Sequence, residues 1–100
     1  IPVHKWMSFQ GGHNEVYIGS GFSCEIQMNW EKNNPEIAER HLKMYINTVR
    51  NLPVIISLEK DKATTYDNRL EMDTGKEYDL LNGTTFKIGK TVFQYFEKDN

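Results

Sequence analysis

Turn-forming residues recur along this chain of 100 residues and leave only short segments between them. Asn82-Gly83 is a strong signal for a β-hairpin, Asp67-Asn68 suits a second tight turn, and Gly89-Lys90 suits a third reversal. The segment 24–28 alternates apolar and polar residues, as a half-buried strand does. Because short strands separated by turns are typical of sandwiches and barrels, the sequence predicts an all-β domain, a two-sheet antiparallel β-sandwich.

The same patterns place individual strands. The predicted strands lie at 3–9, 15–18, 24–28, 53–58, 63–66, 69–72, 77–80, 84–88 and 91–96. Three consecutive apolar residues at 54–56 predict a strand that is buried on both faces. The segment 36–47 is ambiguous, since it fits either one helical face or a loop followed by a strand at 42–46. Its β-branched and aromatic residues favour the strand.

Length and charge limit the classes of function. The 100 residues form one domain, 1–100, and a chain that begins at Ile1 is expected to be part of a longer protein. A net charge of -2 argues against a dedicated nucleic-acid-binding domain. No apolar run approaches the roughly 20 residues that span a bilayer, so we expect no membrane contact from this segment and a cytoplasmic location.

The sequence contains no recognisable catalytic or metal-binding motif. Its three histidines, His4, His13 and His41, are widely spaced, and the single Cys24 has no partner for a disulfide or a zinc site. No serine or cysteine lies in a nucleophile motif. We therefore expect Cys24 to be a small buried residue and expect no metal, no cofactor and no enzymatic activity.

Three segments occur in an order that resembles the forkhead-associated (FHA) domain. Gly19-Ser20 stands where that family has a Gly-Arg pair, residues 24–26 match its acidic-apolar strand, and Ala38 to His41 match its Ser-x-x-His element. The end of the chain is similar as well, through Gly75, Tyr78, Leu80, Asn82-Gly83, 86–89 and the aromatic segment 92–96. The resemblance implies a β-sandwich that binds phosphothreonine on partner proteins.

The sequence departs from the family at the positions that the resemblance assigns to binding. The arginine that grips the phosphate is replaced by Ser20, the phosphate-binding serine by Ala38, and the loop asparagine falls near Asp61. Losing a guanidinium and a hydroxyl would weaken a phosphate site by roughly 3–5 kcal/mol, which is on the order of a few hundred-fold in affinity. The retained His41 implies a structural brace for the loops rather than a phosphate ligand.

The sequence therefore predicts an FHA-like protein-interaction module with a loop rim as its contact surface. The candidate residues for a partner or a phosphopeptide are Ser20, Ser23, Arg40, Lys62, Thr64 and Asn68, with His41 as the loop brace. The favoured function is a phosphate-independent scaffold that self-associates within a larger assembly, by analogy with ring proteins of bacterial secretion machines. The alternative is a phosphothreonine-peptide reader in which Arg40 or Lys62 replaces the missing arginine. An unrelated adhesive or carbohydrate-binding sandwich, or a small enzyme, is the third interpretation.

Overall fold

The computed structural model describes residues 15–97, and these residues form nine strands and one short 3-10 turn. The strands are β1 Glu15–Gly19, β2 Ile26–Gln27, β3 Leu42–Asn47, β4 Leu52–Ser57, β5 Thr64–Tyr66, β6 Leu70–Glu71, β7 Glu77–Asp79, β8 Thr85–Ile88 and β9 Thr91–Gln94. The 3-10 turn covers Asn29–Glu31. The predicted strand at 3–9 lies outside the described residues.

The strands build the two sheets that the sequence predicts. One sheet has the order β2-β1-β3-β4-β7 and the other has the order β6-β5-β8-β9. All the pairs between these strands are antiparallel except β1 with β2, where Ile18 faces Ile26 in a parallel register. The two-sheet sandwich is thus confirmed, with one short parallel pair at an edge that the turn pattern did not predict.

The core lies between the two sheets. It is built from the side chains that point inward, which alternate along each strand with side chains that point outward. Ile18, Leu42, Ile55, Leu80 and Ile88 are all completely buried there. The apolar strand β4 is buried on both of its faces at Val54 and Ile55, as predicted, although Ile56 remains half exposed. Burying a side chain of this kind contributes about 1.5–3 kcal/mol, so this row of residues dominates the stability of the sandwich.

The structure assigns the ambiguous segment 36–47 and confirms the turn at Asp67-Asn68. The segment 36–47 ends in β3, so the strand interpretation is confirmed. Asp67 and Asn68 both have positive φ, 56° and 60°, which is the backbone of a tight hairpin turn between β5 and β6. Asparagine and aspartate tolerate this conformation better than other side chains, which explains why the turn falls there.

The prediction of a hairpin at Asn82-Gly83 is wrong. Gly83 does adopt a positive φ of 90°. However, the preceding strand β7 pairs with β4 in the first sheet, whereas the following strand β8 pairs with β5 and β9 in the second. The turn therefore carries the chain from one sheet to the other.

The sandwich has two ends, which are named here by their loops. The rim consists of the loops 20–25, 28–41 and 58–63, which follow β1, β2 and β4. The far end consists of the loops 48–51, 67–69 and 80–84, which follow β3, β5 and β7. Within residues 15–97 no helix has the length and apolar character needed to cross a membrane.

Candidate functional site

The loop 20–25 is fixed to the loop 28–41 by backbone hydrogen bonds. The Ser20 N–H donates to the Ala38 carbonyl and the Gly21 N–H to the Glu39 carbonyl, each at 3.0 Å. Because both bonds join main-chain atoms, the position of this loop does not depend on a flexible side chain. The rim is therefore ordered before any partner binds.

Gly19 and Cys24 reveal how closely these two loops approach. A Cβ atom placed on Gly19 would lie only 2.2 Å from the Glu39 carbonyl oxygen, so no other residue fits at this position without a backbone shift. The Cys24 thiol is buried, as predicted, and donates to the same Glu39 oxygen at 2.9 Å. Burial raises the pKa of this thiol. Cys24 thus fills a small gap under the rim.

His41 is completely buried and joins two loops of the rim. Its Nδ1 accepts from the Ala38 N–H at 3.1 Å, while its Nε2 lies 3.1 Å from both the Ala63 carbonyl oxygen and the Thr64 hydroxyl. Since a backbone N–H can only donate, Nδ1 carries no hydrogen and Nε2 does. Burial lowers the pKa of His41, which keeps the imidazole neutral at pH 7.

Arg40 is exposed, but its guanidinium already has two partners within the chain. Its Nε donates to the Ser23 hydroxyl at 3.1 Å. The guanidinium carbon lies 4.2 Å from the centroid of the Tyr17 ring, a cation–π contact that contributes about 0.5–1 kcal/mol at an exposed site. Arg40 must give up one or both contacts before it can grip a phosphate.

Lys62, like Arg40, already has a hydrogen-bond partner within the chain. Its Nζ donates to the Pro35 carbonyl across the rim. Lys62 also lines a depression of about 240 Å³ together with Glu36, Asp61 and Lys87. The two cations and the two carboxylates balance each other, so the depression offers an anion no net positive charge.

The positions that the resemblance assigns to phosphate recognition lie in the rim but lack the required groups. Ser20 is exposed at the end of β1, and its side chain is short and neutral. Ala38 is almost completely buried and has no hydroxyl. Asp61 is exposed in the loop 58–63, where its carboxylate would repel a phosphate. The rim geometry is present, whereas the chemistry of a phosphate site is not.

Two of the six candidate binding residues do not belong to the exposed rim. Thr64 is 0% exposed, and its hydroxyl lies against His41 and Ser57, so no partner can reach it. Asn68 lies in the turn of the far end, since the antiparallel pairing carries β5 away from the rim before this turn is reached. The structure therefore reduces the candidates at the rim surface to Ser20, Ser23, Arg40 and Lys62.

The most exposed apolar side chain of the rim is not among the binding residues that the sequence predicts. Phe22 is 97% exposed in the loop 20–25, between Gly21 and Ser23. The signal that could have identified it is its position inside a cluster of small turn residues, where no strand alternation can bury an aromatic ring. Among the other aromatic residues, Phe86 is buried, while Trp30, Phe93 and Tyr95 are partly buried against the core and Phe96 is half exposed.

Within residues 15–97 no group of three or more histidine, cysteine, aspartate or glutamate side chains is arranged to hold a metal ion. Every buried side-chain nitrogen or oxygen in that range also has a hydrogen-bond partner. Within that range the rim thus contains no buried polar side-chain atom that lacks a partner. Its hydrogen bonds serve to fix loops.

Comparison with known proteins identifies the architecture. No family model and no curated protein matches the sequence. Solved structures do match. One FHA domain, analysed for phosphothreonine-dependent interactions, shares 16% identity at a TM-score of 0.67, over 87% of this chain and 80% of that one. The MEK1 FHA domain, solved with a phosphothreonine peptide of HOP1, shares 14% identity at a TM-score of 0.68, over 86% and 83%.

This chain has the fold of FHA domains. An FHA domain from Arabidopsis thaliana gives the same result, with 18% identity and a TM-score of 0.64 over 86% of this chain and 70% of that one. The resemblance first seen in three short segments is thus confirmed at the level of the fold. At these identities the FHA fold is shared while the residues of the rim differ, so function has to be argued from the rim itself.

Proposed function

We propose that this FHA-like domain is a protein-interaction module whose rim binds a partner without requiring phosphothreonine. The observation that carries the proposal is the state of Arg40 and Lys62, the two of the four rim cations that the sequence suggests as replacements for the missing arginine. Arg40 is bonded to Ser23 and stacked on Tyr17, and Lys62 is bonded to Pro35. Each would have to give up these contacts before it could replace the arginine whose expected position is occupied by Ser20.

Phe22 supports the same proposal. Phe22 exposes 97% of a large apolar side chain at the rim, and aromatic residues are enriched at the centres of protein interfaces. The loop that carries Phe22 is fixed by the Ser20 and Gly21 N–H bonds, so little conformational entropy is lost when a partner binds. We propose that Phe22 is the apolar anchor of the rim, with Ser20 and Ser23 beside it.

The proposed setting is a larger assembly in the cytoplasm, in which the domain acts as a scaffold. The FhaA FHA domain, whose structure shares 18% identity with this chain at a TM-score of 0.60 over 79% of this chain and 76% of that one, was solved in complex with the intracellular domain of another protein. Binding to a folded domain relies on shape complementarity and apolar contact, and the exposed ring of Phe22 offers an apolar contact at the rim. Self-association, in which a second copy of the chain covers Phe22, is a second way to bury the same surface.

Site-specific photo-crosslinking tests this function. A photoreactive phenylalanine is placed at Phe22 or, as a matched control, at Val49, which is 94% exposed on the far end. We expect position 22 to crosslink one defined protein in the source cell, position 49 not to crosslink it, and phosphatase treatment to leave the crosslink unchanged. A crosslink that disappears after phosphatase treatment would instead establish phosphate dependence.

The alternative, a phosphothreonine reader, is favoured by one observation. Arg40 and Ser23 lie next to each other in the rim, 3.1 Å apart, and could turn together towards a phosphate. An NMR titration with matched phosphorylated and unphosphorylated peptide libraries separates the two functions. Shifts at Ser20, Ser23 and Arg40 that require phosphate and are lost in Arg40→Ala would support the reader and contradict our proposal.

A further inference from the structure

The side chain of His41 joins the loop 28–41 to residues 63 and 64. Among the hydrogen bonds of residues 15–97, no other titratable side chain makes this link. Ala38, on one side, donates its N–H to Nδ1. Ala63 and Thr64, on the other side, lie against Nε2. This arrangement works only for the neutral imidazole, because Nδ1 must be an acceptor.

Adding a proton reverses the role of Nδ1. The imidazolium carries N–H donors on both nitrogens, so Nδ1–H would then point at the Ala38 N–H, and two donors would face each other. The positive charge would also lie at a site with 0% exposure, where an unpaired charge is strongly unfavourable. The contact can be relieved only if the loop that contains Ala38 moves away from the imidazole.

We propose that His41 is an acid-sensitive latch, whose protonation releases the segment around Ala38, with the loop 20–25 bonded to it, from the ring while the sandwich stays folded. The rest of the core does not depend on this ring, since β3 and β4 pair over six residues beyond it. The Ser20 and Gly21 N–H bonds end on the carbonyls of Ala38 and Glu39, so the loop 20–25 with Phe22 moves with them. Acidification would therefore loosen the attachment of the partner surface to the core.

Burial outweighs the groups that stabilise the protonated form of the latch. Burial lowers the pKa of His41, the Ala63 carbonyl and the nearby Glu59 oppose this, and Lys62 adds to it. The loop 28–41 contributes Glu36, Glu39 and Arg40 to the same region, and the loop 58–63 also contributes Lys60 and Asp61. From β1 and β4 the neighbours are Ile18 and Ser57, neither of which titrates. No carboxylate is bonded to the ring in the hydrogen bonds described here.

The test is an NMR titration of the ¹⁵N-labelled chain from pH 7.5 to pH 5. The imidazole nitrogens report protonation directly, and the amides of Ser20, Gly21 and Ala38 report the state of the rim. We expect these amides to shift or broaden with the midpoint of the His41 ring, below the ordinary value of about 6.5. Once the ring is protonated, their protection from hydrogen exchange should be far below that of Ile55 in the core.

Two variants make the titration specific. His4→Gln combined with His13→Gln leaves His41 as the sole histidine and should keep the full transition. His41→Gln should abolish it and leave the rim amides independent of pH in this range. If His41→Gln does not fold, the double variant alone still decides, because it contains only one imidazole.

Two results would overturn the proposal. In one, the His41 ring takes up a proton while the amides of Ser20 and Ala38 do not change. In the other, Ala38 and Ile55 lose protection together, which would mean that acid unfolds the whole domain. The release of a partner rests on the function proposed above, whereas the amide titration does not. If acid opens the rim but no phosphate-independent partner is found, the proposed function is contradicted while the proposal for His41 is still supported.

Discussion

The rim and the outer face of the five-stranded sheet are held by different kinds of interaction. The rim is held by main-chain bonds, such as Ser20 to Ala38, and by the buried neutral ring of His41. The outer face is held by charged side chains at its surface: Lys43 lies 3.0 Å from Glu15, and where this face meets the far end the Arg50 guanidinium lies 2.8 Å from the Asp79 carboxylate. Surface ion pairs of this kind contribute little and weaken with salt.

The difference shows where this chain depends on precise geometry. Removing one partner of a buried hydrogen bond leaves the other unsatisfied, which costs about 1–3 kcal/mol. Removing one partner of an exposed ion pair lets water take its place. The rim, which we propose as the binding surface, is therefore the region that tolerates substitution least.

The largest expected effect is that of Gly19→Ala. The added Cβ would lie 2.2 Å from the Glu39 carbonyl oxygen and 2.8 Å from the Ala38 carbonyl oxygen, and main-chain atoms cannot turn aside as a side chain can. We expect a loss of about 1–3 kcal/mol in the free energy of unfolding, measured by urea denaturation. Gly21→Ala is the matched control, since its nearest contact would be 3.1 Å. Equal losses in the two variants would contradict the close approach at Gly19.

A smaller effect is expected at Tyr45 on the outer face, and it should depend on pH. The Tyr45 hydroxyl donates to the Glu77 carboxylate, and burial together with this charge raises the pKa of Tyr45 to about 12. In the unfolded chain the phenol ionises near pH 10. The stabilisation is therefore fully present below pH 10 and is lost as the pH rises towards 12.

Thermal unfolding of the wild type and of Tyr45→Phe between pH 9 and pH 12 checks this expectation. The wild type should unfold at a higher temperature than the variant at pH 9, and this difference should disappear by pH 12. Ionisation of the other tyrosines and of the lysines affects both proteins equally, so it should cancel in the difference. A difference that stays constant from pH 9 to pH 12 would show that the hydrogen bond to Glu77 does not control Tyr45.

The sequence predicts the parts of this molecule that depend on neighbouring residues. The turn at Asp67-Asn68 and the buried strand β4 follow from local chemistry and from a short apolar run, and both are confirmed. The turn at Asn82-Gly83 was misassigned because its residues determine the backbone angle but not the sheet that the chain enters next. Local sequence cannot choose between two sheets that differ only in distant partners.

The rim shows the same limit. Its position after β1 could be predicted from the Gly19-Ser20 match, but the engagement of Arg40 by Tyr17 depends on residues 23 positions apart, which no local pattern connects. Thr64 was assigned to the surface because its hydroxyl suggested a ligand. Its burial follows from the alternation of β5 and from its contact with His41, which became visible only once both loops were placed.

The smallest expected effect is that of Arg50→Ala, which removes the ion pair with Asp79. Both side chains are exposed, so water and dissolved ions can replace the contact. We expect a slight loss of stability at low salt that disappears at high salt, measured by urea denaturation in both buffers. The loss caused by Gly19→Ala should be the same in both buffers, since it arises from a steric overlap. A loss from Arg50→Ala that is as large as that of Gly19→Ala, and equally insensitive to salt, would mean that the outer face is as tightly constrained as the rim.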